Sequence, residues 1–595
     1  MPDPHRPQPA PGAPITGGAL VAAFLEACGV RAAFGVISIH NMPILDAIAS
    51  RAAIRFVPAR GEAGAGNMAD ACARSTASLG VCITSTGPAA GNIAGSLVEA
   101  LTAGTPLLHL TGQIETTYLD RGMAYIHEAP EQLAMLGAVS KKAYRVRHAD
   151  TLLATLREAV RCAMTAPSGP VSVEIPIDIQ AATLPMPADL RPLPVSVAVP
   201  DPQAIDALAD RLAQTRRPLL WIGGGARGAR DAIARLRALG FGIVSSTQGR
   251  GIVAEDDPAT LGAYNIHGPI EAFYRRCDAM LVAGSRLRGN ETLKYTLKLP
   301  SPLLRIDADP AAEGRCYPSE HFVAGDAALA LAALAERLEA RGWRADPQLL
   351  VDLRAAGDAA REALLAGLGP YAALVERLQR HAGRDFFWVR DVTLSNSTWG
   401  NRELRVFSPH AGVHATGGGI GQGLAMAIGA AVGAAVGPAS QASQASHEAS
   451  PNPRDARLGT KTLCLVGDGG LMLNVGELAT AVQEGLDLLI VLMNDRGYGV
   501  IRNIQDAQYG GRRCYADLHT PDFEQLCASL GVAHARIETI EAIDAPLARA
   551  AAQRKPFVIE VDMTAIGGFS ERFAGPPVRE HAQQPSPPIG ERGRG

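Results

Sequence analysis

Residues 462–470, TLCLVGDGG, run from an apolar strand-like stretch straight into Gly467-Asp468-Gly469-Gly470. LMLN (471–474) and the helical run GELATAVQEGL (476–486) follow. A second apolar run, LLIVLMN (488–494), ends in Asp495-Arg496-Gly497-Tyr498-Gly499. A strand–helix–strand unit crosses over right-handed and brings both strand ends to one edge of a parallel sheet. Asp468 and Asp495, 27 positions apart, then stand side by side at that edge. Two carboxylates and a backbone carbonyl form a hard oxygen site suited to Mg²⁺. Gly469 and Gly470 let backbone N–H groups approach phosphate oxygens. Either motif alone fits an ordinary turn; together, with ELATA between them, they point to a Mg²⁺–diphosphate site. Asn474 followed by Glu477 has the spacing of a helix-capping box.

Working outward, the chain has 595 residues, enough for about three or four domains. Lys plus Arg is 56 and Asp plus Glu is 59, a net charge of −3 that gives no reason to expect nucleic acid or a membrane surface as partner. Nine scattered cysteines with no CxxC pair read as reduced thiols of a cytoplasmic protein. The start, MPDPHRPQPAPGAP, has no apolar core for a signal peptide, and no apolar run is long enough for a membrane span.

Further apolar runs at 81–86, 106–112, 171–176, 217–225, 279–285 and 303–309 alternate with Ala/Leu-rich helical runs. That alternation predicts an α/β protein of doubly wound parallel sheets. Three domains are expected, at about 15–185, 200–345 and 370–575, with a charged helical stretch over about 340–380. Residues 1–14 and 576–595 are expected to be disordered Pro-rich tails, and 438–459 a flexible insertion.

The motif pair resembles that of the thiamine-diphosphate enzymes, in particular the acetolactate synthase, benzoylformate decarboxylase and pyruvate decarboxylase group, and the likeness extends over about 15–575. Its fold would be three α/β domains: aminopyrimidine-binding, central and diphosphate-binding. The resemblance implies metal ligation by Asp468, Asp495 and the Gly497 carbonyl. Asp495 departs from the family, which has Asn there. Gly417-Gly418-Gly419-Ile420-Gly421 before AMAIGAAVG is similar to the family's glycine-rich helix entry. By that match the Gly418 carbonyl accepts from the cofactor's amino group and Ile420 is the wedge that bends it, bringing the internal base near the reacting carbon. Gly467, Asp468, Gly469, Gly470 and Tyr498 would line the diphosphate.

In the N-terminal part, Val57-Pro58-Ala59-Arg60-Gly61-Glu62 and then NMADACAR (67–74) resemble the segment carrying the family's glutamate, which hydrogen-bonds the aminopyrimidine. Glu62 matches that glutamate; the plain alternative is a carboxylate at a helix start. Gln113 and His127 match active-site positions of the acetolactate synthase branch, His127 standing where that branch has Gln. An imidazole there can move protons near neutral pH, or it can be a packing residue.

The substrate end is less defined. Ile39, Ile501 and Ser85 stand where the simple decarboxylases carry polar groups, and His40 is a candidate polar contact. Missing donors favour passing the enamine to a second carbonyl compound, an acetolactate synthase-like decarboxylation with carboligation. The alternatives are a non-oxidative 2-oxo acid decarboxylase, a C–C lyase, or a regulatory protein that binds the cofactor without turnover. IGGGA (222–226) is a weak nucleotide signal, and FAD is not favoured. The resemblance implies a homodimer or homotetramer, with Glu62 of one chain meeting Asp468 of another.

Overall fold

The computed structural model describes residues 10–437 and 461–575. They form three parallel sheets, each covered by helices. The N-terminal sheet contains Ala32–Gly35, Arg55–Pro58, Gly80–Thr84, Leu107–Gln113, Lys142–Arg145 and Pro170–Pro176. Numbered along the chain, these lie side by side as 2-1-3-4-6-5. The C-terminal sheet contains Phe387–Arg390, Gly412–His414, Thr462–Gly467, Leu488–Asn494, Ala533–Ile537 and Phe557–Asp562, in the same order. The central sheet, Pro218–Ile222, Gly242–Ser245, Ala279–Ala283, Leu303–Asp307 and His321–Ala324, runs 2-1-3-4-5. In all three the winding reverses between the first and third strands, so the loops leaving those strands diverge and open a crevice.

Central strands such as Leu488–Asn494 and Leu107–Gln113 are buried throughout, as expected for apolar runs under helices on both faces. The helical stretch expected over 340–380 is two helices, Gln348–Leu368 and Tyr371–Ala382. No described helix is long and apolar enough to cross a membrane. The N-terminal tail expected to be disordered through residue 14 is anchored earlier. Pro14–Thr16 pairs antiparallel with Thr183–Pro185, and the Gly12 N–H donates to the Met186 carbonyl at 2.9 Å. Two short extended segments thus satisfy each other's backbone groups, which the proline content concealed. The rest of that tail, the 438–459 insertion and the 576–595 tail lie outside the described residues.

The N- and C-terminal domains pack through equivalent helices, each lying between the second and third strands of its sheet: Glu62–Thr76 and Gly423–Val436. A Cβ at Gly429 would come 2.0 Å from the Met68 carbonyl oxygen, and one at Gly433 2.8 Å from Ser75 Oγ. Only glycine admits this approach, and Met68, Ala69, Leu424 and Ile428 share one buried core across the contact. Polar ties reinforce it. Arg74 pairs with Asp70 at 2.9 Å and donates to the His414 carbonyl at 2.8 Å, while Glu99 accepts from Thr416 N and Gly417 N, each at 2.6 Å.

Candidate active site

The strand–helix–strand unit forms at the C-terminal crevice. Thr462–Gly467 and Leu488–Asn494 are adjacent parallel strands with Gly467 opposite Met493, so Asp468 and Asp495 leave the same edge. Asp468 is fully buried, and neither carboxylate oxygen finds a donor in hydrogen-bonding geometry. Burial, and then the Asp495 carboxylate beside it, push the Asp468 carboxyl up to about 7. Burial raises Asp495 as well, opposed by Arg502, whose Nη2 lies 3.0 Å from its Oδ2 and donates to its carbonyl at 2.7 Å. A buried carboxylate without donors beside a half-buried one is a destabilised pair in the protein alone, and a divalent cation relieves both burial and repulsion. Together with the Gly497 carbonyl, this donor set fits Mg²⁺.

The loop around Asp495 is shaped by its neighbours. Asn494 donates to Glu560 Oε1 at 2.7 Å and accepts from Arg496 N at 3.1 Å; Arg496 takes φ +57°. The Tyr498 N–H donates to the Ala516 carbonyl at 2.8 Å. The Tyr498 ring covers Gly469, where a Cβ would come 2.5 Å from Cε1. Gly467 caps the short helix Asp468–Leu473. At Gly470 a Cβ would come 2.5 Å from an oxygen of Asp391, a residue that the sequence reading missed.

Asp391 leaves the first strand of this sheet, across the crevice from Asp468. Its carboxylate accepts from Gly421 N at 2.9 and 3.0 Å and from Val392 N at 2.7 Å, and burial raises it to about 6. It pins the loop that carries Gly418 (φ +85°) and Ile420, which is 40% exposed. Asn474 pins the same loop by donating to the Gly421 carbonyl at 2.6 Å. The expected capping box is therefore not formed. Asn474 reaches the glycine loop, and Glu477 reaches the N-terminal domain, accepting from Arg60 N at 3.0 Å and from Thr480 Oγ1 at 2.6 Å. Two longer-range partners outcompete the local cap.

The N-terminal crevice gathers the other sequence-predicted residues. Glu62 opens its helix and accepts at 3.0 Å from Asn92, the last residue of the short helix Pro88–Asn92 that follows the turn after Gly80–Thr84. Among the described residues no hydrogen bond or ion pair joins Glu62 to Asp468. Gly87 takes φ +61° in that turn, where a Cβ would come 2.4 Å from the His127 carbonyl oxygen. The exposed His127 itself takes φ +67°, and its ring lies edge-on to His40, centroids 5.1 Å apart. His40 is buried, whereas its neighbour Ile39 is 71% exposed. Gln113, expected to face substrate, is buried; its Oε1 accepts from Thr86 Oγ1 at 3.0 Å and Ile114 N at 2.8 Å. Ile501 stands half-exposed on the helix Gly499–Gln508 of the other domain.

The central crevice is a cavity of about 330 Å³ lined by Gly224, Gly225, Arg227, Gln248, Arg288 and Asp307. Gly223 and Gly284 cross at its floor; a Cβ on Gly223 would come 2.2 Å from the Gly284 carbonyl oxygen.

This doubly wound triplet, with acid-rich and histidine-bearing crevices on twin domains, belongs to the thiamine pyrophosphate (thiamine diphosphate) enzyme family. The family's N-terminal TPP binding domain matches residues 15–135, its central domain 205–334 and its C-terminal TPP binding domain 395–561. Among similar proteins, a probable 2-ketoarginine decarboxylase of Pseudomonas aeruginosa is 30% identical over 82% of this chain and 84% of its own length. The acetolactate synthase isozyme 2 large subunit of Escherichia coli is 28% identical over 93% of this chain and 96% of its own. An acetolactate synthase large subunit of Corynebacterium glutamicum is 27% identical over 89% of this chain.

Proposed function

We propose that this chain is a thiamine-diphosphate- and Mg²⁺-dependent enzyme that decarboxylates a 2-oxo acid. The carrying observation is Asp468, wholly buried with both oxygens lacking donors beside a second carboxylate. Asp468, Asp495 and the Gly497 carbonyl would hold the metal, and the Gly467–Gly470 turn and Tyr498 would flank the diphosphate. When bound, the cofactor supplies an electron sink for the pair left as CO₂ departs. Glu62 holds a proton at the aminopyrimidine, while Gly418 and Ile420 set its orientation. Gln113 braces the turn at Thr86, while Gln132 accepts from Gly87 N, and so Gln113 acts as a positioning residue.

Two fates remain for the carbon that has lost CO₂. The sequence favours attack on a second carbonyl, because the proton donors of the simple decarboxylases are missing from it. His127, exposed with its ring edge-on to His40, supplies such a donor, and it supports protonation to an aldehyde as the first reading. Carboligation is the second reading, supported by the apolar Ile39 and Ile501, which leave room for an acceptor. Exposed apolar side chains gather at both crevices, Ile37, Ile39 and Ile126 at one and Ile420, Leu473 and Ile501 at the other. A symmetric homodimer that lays one crevice on the other would cover both sets and bring Glu62 to a neighbouring chain's Asp468. The arginines of the central cavity suit a nucleotide diphosphate, and flavin absorbance of the purified protein tests for FAD.

The deciding experiment measures CO₂ and the organic product from a panel of 2-oxo acids with both cofactors added. An aldehyde as sole product supports the first reading and a 2-hydroxy ketone the second. Absence of CO₂ from cofactor-loaded protein would overturn both.

A further inference from the structure

Glu115 sits over the same N-terminal crevice, just past the strand Leu107–Gln113, in a stretch (114–131) without helix or strand. Its Oε2 is buried with no donor, and its Oε1 has only a long contact of 3.4 Å from the Tyr125 hydroxyl. It forms no ion pair among the described residues. A half-buried carboxylate with one oxygen sealed from water and without a cation or a full set of donors is unfavourable unless a ligand completes it. A second orphan faces the same space: His40 is 5% exposed and its Nδ1 is buried without a partner. Burial, and then the His127 ring, hold the His40 imidazole below its usual range, so it brings no counter-charge at neutral pH. The rings of Tyr118 and Tyr125 stack 4.5 Å apart beside Glu115. The missing group must therefore carry positive charge and several N–H donors and must tolerate aromatic faces. A guanidinium or ammonium has those properties. The exposed Ile39 and Ile126 offer apolar surface to the methylenes leading to such a group.

We propose that Glu115 is a specificity residue and that the substrate is a 2-oxo acid whose side chain ends in a guanidinium or ammonium group. The cation pairs with the Glu115 carboxylate and donates to His40 Nδ1. This rests on the 2-oxo acid reading above, and its test is chosen to fail separately. Since 114–131 is a loop, the ligand can reset the Glu115 side chain without unpacking the core.

CO₂ release is compared for guanidino-ended, ammonium-ended and uncharged 2-oxo acids of matched length, with wild type and Glu115→Gln. Wild type should favour the cationic tails by about 100-fold or more in kcat/KM, because a built polar site rejects analogues that leave it unpaired. Glu115→Gln should remove that preference mainly through KM and leave the uncharged substrate within a few-fold. An uncharged preference in wild type, or an equal loss on all substrates, would overturn the proposal. Calorimetric binding of an ω-guanidino carboxylic acid lacking the keto group needs no turnover. Binding to wild type that Glu115→Gln loses upholds the cation site even if no 2-oxo acid is decarboxylated, and absence of binding to wild type overturns it.

Discussion

The N- and C-terminal domains have the same strand order and bury equivalent helices against each other, yet their crevices carry opposite chemistry. At the C-terminal edge the first and third strands each end in a buried carboxylate, Asp391 and Asp468. At the N-terminal edge the corresponding strands lead into His40, with apolar neighbours, and into the Ser85–Asn92 segment that holds Glu62. One topology thus supplies two positions for loops, and in the function proposed above the residues placed there divide the work into holding a charged cofactor and acting on it. Fold sets the edge; side chains set the chemistry.

The sharpest way to break this division is to disable each crevice separately. Glu62→Gln should lower turnover by about 10²–10⁴, the range for losing a positioned proton-transfer group, while Mg²⁺-dependent cofactor binding survives. Asp468→Asn should do the reverse and abolish retention of the cofactor on gel filtration. If Glu62→Gln released the cofactor, or Asp468→Asn kept it, the two edges would not divide the work in this way.

A smaller effect separates them by pH. The Asp468 carboxyl lies at about 7 in the folded, metal-free chain against an ordinary value of 3.8. A raised carboxyl stabilises the fold fully below its ordinary value, and that stability is lost as pH rises through about 7. The metal-free protein should therefore melt at a lower temperature at pH 8 than at pH 6, and Mg²⁺ with cofactor should remove the difference. Mg²⁺ affinity should fall below about pH 7, by at most about tenfold per unit, because a proton competes for the same oxygen. A Tm difference unchanged by metal would place the sensitive group elsewhere.

Glu477 links the two edges and offers a more modest test. Its carboxylate holds the Arg60 N–H, two residues before Glu62. Glu477→Ala leaves the Arg60 N–H and the buried Thr480 hydroxyl without this partner, which costs about 1–3 kcal/mol, and should reduce turnover more than cofactor affinity. Equal losses in both would show a general loosening of the interface.

Much of this was legible from residues alone, and what was not has physical reasons. The long interior strands stood out as apolar runs. Arg55–Pro58, Gly412–His414 and Lys142–Arg145 did not, because edge strands of three or four residues with polar neighbours carry little periodic signal. Asp468 and Asp495 were readable because both lie beside glycines at fixed spacing. Asp391 and Glu115 were not, since each is a single acid whose meaning comes from what folds over it. Asn474 and Glu477 matched a local pattern but serve distant partners.

The smallest expected effect concerns Asp495, where the family has Asn. Its carboxylate is the second cause, after burial, of the raised Asp468 carboxyl, and Arg502 offsets part of its charge. Asp495→Asn keeps an oxygen for the metal and removes one of two like charges. Mg²⁺ affinity should fall by less than about tenfold, or about 1.4 kcal/mol, because the lost attraction is partly repaid by the lost repulsion. The pH at which metal-free stability declines should move below 7, since only burial then holds Asp468 up. Arg502 keeps its bond to the residue-495 carbonyl, so the loop should hold its shape. An unmoved midpoint would mean that burial alone sets Asp468. The contrast between the edges would then rest on how deeply each carboxylate is buried, and not on two carboxylates having been placed together.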